Sequence, residues 1–288
     1  MKKILIFGGS GFLGSHVADE LSKIGHEVKI FDKKKSKWLK SDQKMYVGDI
    51  LNQRSLERAV KGADIVFHFA ALSDLEEAFN EPIKSVNINV LGTVQALELC
   101  KKHKVKRFVY ASTIYVNSTD GGFYRSSKKA AEDYVEEYRK KYQLNYTVLR
   151  FGSLYGLRSN NKNGVTKIIK NAIKSRKVSY AGSNRSVREY ISVSDAAKAC
   201  CKIIKNKYKN KHINITGKKK IKVSIFLKRL AKILKISKKI EFKNKKTTGH
   251  YTVSPFTYKP KSGKKFVFDK SANFFDEITL LVNSIRKD

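Results

Sequence analysis

Tyr124-Arg125-Ser126-Ser127-Lys128 puts a phenol and an ammonium four residues apart, and at the start of a helix that spacing sets both on one face. A phenol has a reference pKa of about 10 and is unionised at neutral pH, but a fixed cation a few ångströms away favours its phenolate. Such a pair is a general base for an alcohol proton. Lysine is abundant here, yet of the fourteen tyrosines only Tyr124 has a lysine four residues later. Thr113 closes the preceding apolar run Arg107–Ala111 (RFVYA) and Ser112, where its hydroxyl can share the same reacting oxygen. A hydroxyl at a strand end also serves as an ordinary helix cap.

A base for an alcohol needs an acceptor for the hydride, and the N-terminal stretch supplies a place for one. Lys3–Phe7 (KILIF) has the apolar, β-branched and aromatic make-up of a buried parallel strand, and it breaks into Gly8-Gly9-Ser10-Gly11-Phe12-Leu13-Gly14. Leu13, Val17, Leu21 and Ile24 recur at helical spacing, Gly25 ends the helix, and Glu27–Phe31 predicts a second strand ending at Asp32. That is one strand–helix–strand unit with a dinucleotide fingerprint. Gly8 permits the turn, Gly11 lets the backbone approach a pyrophosphate, and Gly14 lets the helix pack on the strand. The amides of the first helical turn, at Phe12 and Leu13, offer donors and a positive dipole end to phosphate. Asp32, eighteen residues past Gly14, is placed to bind the adenosine ribose diol. Its carboxylate repels a 2′-phosphate, which favours NAD over NADP; Lys33, Lys34 and Lys35 soften that preference.

Strand and helix patterns continue to alternate. Short apolar runs fall at Met45–Val47, Asp64–Phe69, Arg107–Ala111 and Tyr146–Phe151. Helical periodicity covers Leu56–Val60, the stretch from Asp74 to His103 with Pro82 as a start or break, and about Tyr124 to Tyr142. The expected fold is therefore α/β, a doubly wound parallel sheet of the Rossmann type. Beyond Phe151 the rhythm loosens: helices are expected near Val165–Lys174, Ser194–Lys205 and Ile225–Leu234, with strands near Val178–Tyr180, Glu189–Ile191 and His212–Ile215.

The chain has 288 residues, enough for one large or two modest domains, with only three prolines and no linker-like tract. Cys100, Cys200 and Cys201 have no metal-ligand or redox-pair spacing, so no metal is expected and a reducing cytoplasm is the simplest compartment. No apolar run approaches a membrane span, which excludes a membrane partner of that kind. The 61 basic against 25 acidic residues give a net charge of +36. Because the lysines are spread along the chain with little aromatic interleaving, nucleic acid is not the expected partner. A positive surface would still speed capture of an anionic substrate.

Together these segments resemble the extended short-chain dehydrogenase/reductase superfamily, and within it the nucleotide-sugar epimerases and dehydratases. Gly8–Gly14 is similar to its GxxGxxG, Gly48-Asp49-Ile50 to its adenine-contacting GDI, and His68-Phe69-Ala70-Ala71 to its HxAA. Asn89-Val90-Leu91-Gly92-Thr93 resembles NVxGT, whose Asn braces the active-site helix. Tyr124 and Lys128 match YxxxK. Arg150–Gly156 and Arg188–Asp195 resemble RxxNxYG and RDFIxVxD. The resemblance implies that Gly8, Gly11, Phe12, Leu13, Gly14, Asp32, Asp49, Ile50, Ala70, Ala71, Tyr124 and Lys128 hold NAD. It implies that Thr113, Tyr124 and Lys128 are catalytic, with Lys128 lowering the Tyr124 pKa and holding the nicotinamide ribose. Arg188 would bind a substrate diphosphate, with Ser153 and Arg158 beside the substrate. A homodimer through the helices around Asn89 and Tyr134 is a further family-level expectation. The expected division is a Rossmann domain over 1–155 plus about 189–216, and a substrate domain over about 156–188 plus 217–288.

Departures from the family pattern narrow the chemistry. Ile114-Tyr115 follows Thr113 where 4,6-dehydratases carry an Asp-Glu pair, which argues against water elimination. Ser153 stands where Asn is usual, Leu157 where Pro is common and Asn117 where Tyr is usual. Only ten residues separate Thr113 from Tyr124. The expected activity is an NAD-dependent epimerase acting on a nucleotide-diphosphate sugar through a transient keto sugar. An exchanging NAD(P)-dependent nucleotide-sugar reductase or dehydrogenase is the main alternative, and a nucleic-acid-binding member of the superfamily a lesser one.

Overall fold

The apolar run before the glycine turn forms β1 (Lys3–Phe7), buried from Ile4 onward because it has a parallel neighbour on each side and helices over both faces. The computed structural model describes residues 1–236, 240–242 and 263–287. After β1 come α1 (Phe12–Lys23), β2 (Glu27–Asp32), β3 (Gln43–Val47), α2 (Gln53–Val60) and β4 (Ile65–His68). Two short helices, α3 (Leu75–Asn80) and α4 (Pro82–Val86), lead through a π-helical turn at Asn87–Leu91 into α5 (Gly92–Lys102). Next are β5 (Arg107–Thr113), α6 (Gly122–Tyr142), β6 (Tyr146–Phe151), β7 (Ser153–Tyr155), α7 (Gly164–Ser175) and β8 (Val178–Tyr180). The described chain ends with β9 (Val187–Arg188), β10 (Tyr190–Ser192), α8 (Val193–Ile203), β11 (Lys211–Ile215), β12 (Ile221–Lys222), α9 (Val223–Leu234), β13 (Ile240–Phe242), β14 (Lys264–Lys265) and α10 (Phe274–Lys287).

Eight strands make one parallel sheet in the order β14-β11-β6-β5-β4-β1-β2-β3. The order reverses between β1 and β4, so a crevice opens at the C-terminal edge of the sheet there, the usual ligand place in such folds. One face is covered by α1 and α8, where Val17, Ala18 and Leu21 meet Ala196, Ala197 and Cys200 over Ile4, Ile6 and Val109. The other carries α2, α5 and α6, with Leu56, Leu97 and Val135 on Leu5, Phe108 and Val148.

A third cluster lies apart from both. Val165 and Ile169 of α7, Phe226, Leu227 and Leu230 of α9, and Ile278, Leu281 and Val282 of α10 pack around Tyr155 and Val178. The single strand expected at Glu189–Ile191 is two: β9 pairs antiparallel with β12, and β10 pairs parallel with β7. The chain changes sheets at Glu189, whose buried carboxylate accepts from Lys265 Nζ at 3.1 Å. Of the lysine runs, Lys243–Lys246 lies outside the described residues, as does part of the expected substrate domain.

The glycine turn leaves no room for side chains. A Cβ on Gly14 would sit 2.2 Å from Gly8 O and 2.8 Å from Gly9 Cα. Helix propensity alone would make Gly14→Ala stabilising by about 1 kcal/mol, yet the backbone overlap should give a net loss of about 1–3 kcal/mol. Urea unfolding checks this, and a midpoint at or above wild type would contradict it.

Candidate active site

β5 and the start of α6 bring the three candidate catalytic side chains together. The Thr113 hydroxyl lies close enough to the Tyr124 phenol to lower its pKa, and Lys128, one turn along α6, donates to Ala111 O at 2.8 Å. Lys128 Nζ also lies 4.7 Å from the centroid of the Tyr110 ring beneath it. Tyr124 keeps part of its surface open while Thr113 and Lys128 are buried. Burial pushes the Tyr124 phenol up to about 12, against the Thr113 hydroxyl, which lowers it. The same desolvation pulls Lys128 down to about 7, against the Glu132 carboxylate, which raises it. Directly after Thr113, Ile114 is buried at 1% exposure and the turn Ile114–Asn117 carries no carboxylate.

The π-helical turn explains how α6 is held. It turns the Asn89 side chain inward, so that Oδ1 accepts from Leu72 N at 2.8 Å and Nδ2 donates to Leu72 O at 3.0 Å and Ser127 Oγ at 2.9 Å. Ser85 Oγ donates to Ser127 Oγ at 3.2 Å. Asn89 thus ties the segment after β4 to the helix that carries Tyr124 and Lys128. One turn beyond Lys128, Glu132 makes a paired contact with Arg150 of β6, Nε to Oε1 at 3.0 Å and Nη2 to Oε2 at 2.7 Å. Ser85, Ser127, Tyr110 and Glu132 were not singled out from sequence. For Glu132 a signal existed, since Tyr124, Lys128 and Glu132 form one i, i+4 row.

The glycine turn, β2 and β4 shape a groove at the switch point. Gly8 has φ +78° and a Cβ there would meet Ala70 N at 2.6 Å and Phe69 C at 2.8 Å, so the turn lies against the backbone of Phe69 and Ala70, with Ala71 next in the chain. Gly11 is the N-cap of α1 with no side chain capping it and no acid in the first turn, which leaves the amide end open to an anion. Phe12 and Leu13, the first residues of α1, are both partly exposed there. At the end of β2, Asp32 accepts from Ser10 N at 3.1 Å and Lys34 N at 3.3 Å. Asp49 is exposed and accepts from Leu51 N at 2.8 Å, while Ile50 is buried against Gly92. These residues fit a dinucleotide: backbone donors for the pyrophosphate, a side-chain-free approach and a carboxylate for a ribose.

The candidate substrate residues are placed differently from one another. Ser153 starts β7, in register with Tyr190. Arg188 is buried in β9, where it donates to Val187 O at 3.0 Å and Tyr180 Oη at 3.4 Å. Arg158 turns toward α1, donating to Asp19 Oδ2 at 2.7 Å with its guanidinium 4.6 Å from the Trp38 ring centroid. Among the described residues no group of His, Cys, Asp and Glu could hold a metal ion, and no helix is long and apolar enough to cross a membrane.

Comparison with known proteins agrees with this geometry. Residues 4–216 match the model of the NAD dependent epimerase/dehydratase family. A putative UDP-glucose 4-epimerase from Methanocaldococcus jannaschii is 29% identical, over 75% of this chain and 77% of that protein. A dTDP-D-glucose 4,6-dehydratase from Dictyostelium discoideum is also 29% identical, but the match spans 69% of this chain and only 54% of that relative. Among solved structures, UDP-glucose 4-epimerase with UDP-glucose from Thermotoga maritima superposes with a TM-score of 0.85 at 25% identity, covering 99% of both chains.

Proposed function

Because the chain belongs to the NAD dependent epimerase/dehydratase family, we propose that it inverts a hydroxyl-bearing carbon of a UDP-hexose, at C4, through a transient keto sugar. The observation that carries this choice is the end of β5. Thr113 and Tyr124 meet there with Lys128 beneath, while Ile114 occupies a position where elimination of water would need an acid. Gly8, Gly11, Phe12, Leu13, Gly14, Asp32, Asp49, Ile50, Ala70 and Ala71 would hold the cofactor. A bound NAD would supply the hydride acceptor for the sugar carbon and the donor for its return.

In this reading Tyr124 accepts the hydroxyl proton as the carbonyl forms and returns it as the carbonyl is reduced. Thr113 shares the oxygen and steers it. An isolated phenolate is disfavoured here by desolvation, and so is an isolated Lys128 ammonium. A phenolate and ammonium formed together would be neutral as a pair, and that is the role this reading gives Lys128. Ser153 and Arg188 stand at the border with the smaller cluster of α7, α9 and α10, which we take as the sugar-nucleotide unit. The helices around Asn89 and Tyr134 present exposed Ile83, Val86, Leu91 and Tyr134, and a homodimer through them accompanies the proposal.

Incubation with UDP-glucose, UDP-galactose or UDP-glucuronate, with no nicotinamide nucleotide added, should yield the C4 epimer by proton NMR. A 6-deoxy-4-keto product, or turnover only with added reductant, would overturn the reading. The lysine also makes a pH-dependent statement. Its folded pKa of about 7 lies below the ordinary 10.5, so between these values the unfolded chain binds a proton that the folded chain has released. Stability therefore rises with pH across that window. The melting temperature of wild type should climb relative to Lys128→Met from about pH 7 to about pH 9, and a flat difference would show an ammonium that stays charged.

A further inference from the structure

The segment between β7 and α7, residues 156–163, is tied at both ends to helices on opposite faces of the sheet. Toward one face, Leu157 O accepts from His16 Nε2 at 3.0 Å and Arg158 donates to Asp19 Oδ2 at 2.7 Å, both partners on α1. The Arg158 guanidinium also covers Trp38, in the segment after β2. Toward the other face, Lys162 Nζ pairs with Glu77 of α3, a helix that packs on α6; Lys84 shares that carboxylate at 3.0 Å. Arg158 and Lys162 are four residues apart and span at most about 14 Å. Since α1 and α3 lie on opposite faces, these residues must cross the C-terminal edge of the sheet between them. That edge carries the glycine turn, Asp32 and Ala70–Ala71.

We propose that residues 156–163 are a clasp over the cofactor groove, and that Asp19 and Glu77 are the positioning residues that set how long the cofactor stays. The inference rests on the groove's being the NAD site. Two features show that the crossing is imposed. Arg158 has φ +64°, a left-handed conformation unfavourable for a residue with a side chain. Its Nη1 is buried with no protein partner, although an unmet buried donor is destabilising. The polar contacts at each end hold that geometry in place. An epimerase reverses its own hydride transfer, so the same cofactor molecule must remain through both halves, and a clasp fixed on both walls serves that need.

The test uses Asp19→Asn, Glu77→Gln and the double variant, leaving every candidate catalytic and substrate residue in place. Bound NAD is chased with isotopically labelled NAD and the exchange rate read by mass spectrometry. The double variant should exchange about tenfold or more faster, the rate equivalent of losing charge-assisted contacts, with the KM for UDP-sugar unchanged. Asp19→Glu should restore much of the slow exchange. Equal exchange in wild type and double variant would overturn the clasp while leaving the NAD reading intact. Lower melting temperature of the cofactor-free variants without faster exchange would assign these pairs to folding alone and also overturn it. If wild type neither carries nor binds NAD, both readings fall together.

Discussion

Tyr124→Phe is expected to lower kcat by a factor on the order of 10²–10⁴, the usual contribution of a positioned general base, while NAD content and the melting temperature stay near wild type. The substitution removes one oxygen from a ring that α6 and the Asn89–Ser127 bracing hold in place, so the fold keeps its packing. What goes is the phenol that the Thr113 hydroxyl acts on. Thr113→Ala should have a smaller effect, because it removes a partner of the reacting oxygen and leaves the base. Steady-state kinetics on the epimerisation, with bound NAD quantified in the same preparation, separates the two. Activity of Tyr124→Phe within a fewfold of wild type would remove Tyr124 from the mechanism.

Glu132→Ala carries the largest expected loss of stability, about 3–5 kcal/mol, because it strands a buried cation. Arg150 and Glu132 are 4% and 0% exposed in their side chains, and the pair bridges β6 to α6 just below the catalytic turn. Arg150 Nη1 also donates to Asn117 Oδ1 at 3.4 Å, but a neutral amide does not supply the charge of the lost carboxylate. Asn214, in register with Arg150, is a buried neutral amide, and His212 already faces Glu136 at 2.7 Å. His212 is itself held below its usual pKa, first by burial and then by Arg150. Removing both charges together, as in Glu132→Met with Arg150→Met, should recover most of the loss, since no ion then remains uncompensated. Denaturant unfolding of the single and double variants measures this. A single variant within about 1 kcal/mol of wild type would show that water reaches Arg150.

What could be foreseen from sequence was what depends on short range. The glycine turn, the alternation of strand and helix, and the Tyr124/Lys128 spacing are local patterns, and a parallel sheet with its switch point beside β1 follows from them. Asn89 was legible through resemblance, although its π-helical turn was not, since backbone hydrogen-bond register leaves little trace in residue type. Pairings across long stretches of chain stayed hidden: Arg150 with Glu132, Arg158 with Asp19, Lys162 with Glu77. Each depends on how the sheet order folds distant segments together, and in a lysine-rich chain every acid has many sequence-level partners. Helix α10 carried its signal in Ile278, Leu281, Val282 and Ile285, but it joins a core assembled from three separated segments, so its place could not be read locally.

The closed hydride cycle at Tyr124 is tested most directly with UDP-galactose deuterated at C4 and no added nicotinamide nucleotide. The account predicts UDP-glucose that keeps the deuterium at C4, with none lost to water, because the hydride leaves and returns within one complex. Product that has exchanged its label with solvent, or no product until a reductant is supplied, would contradict it.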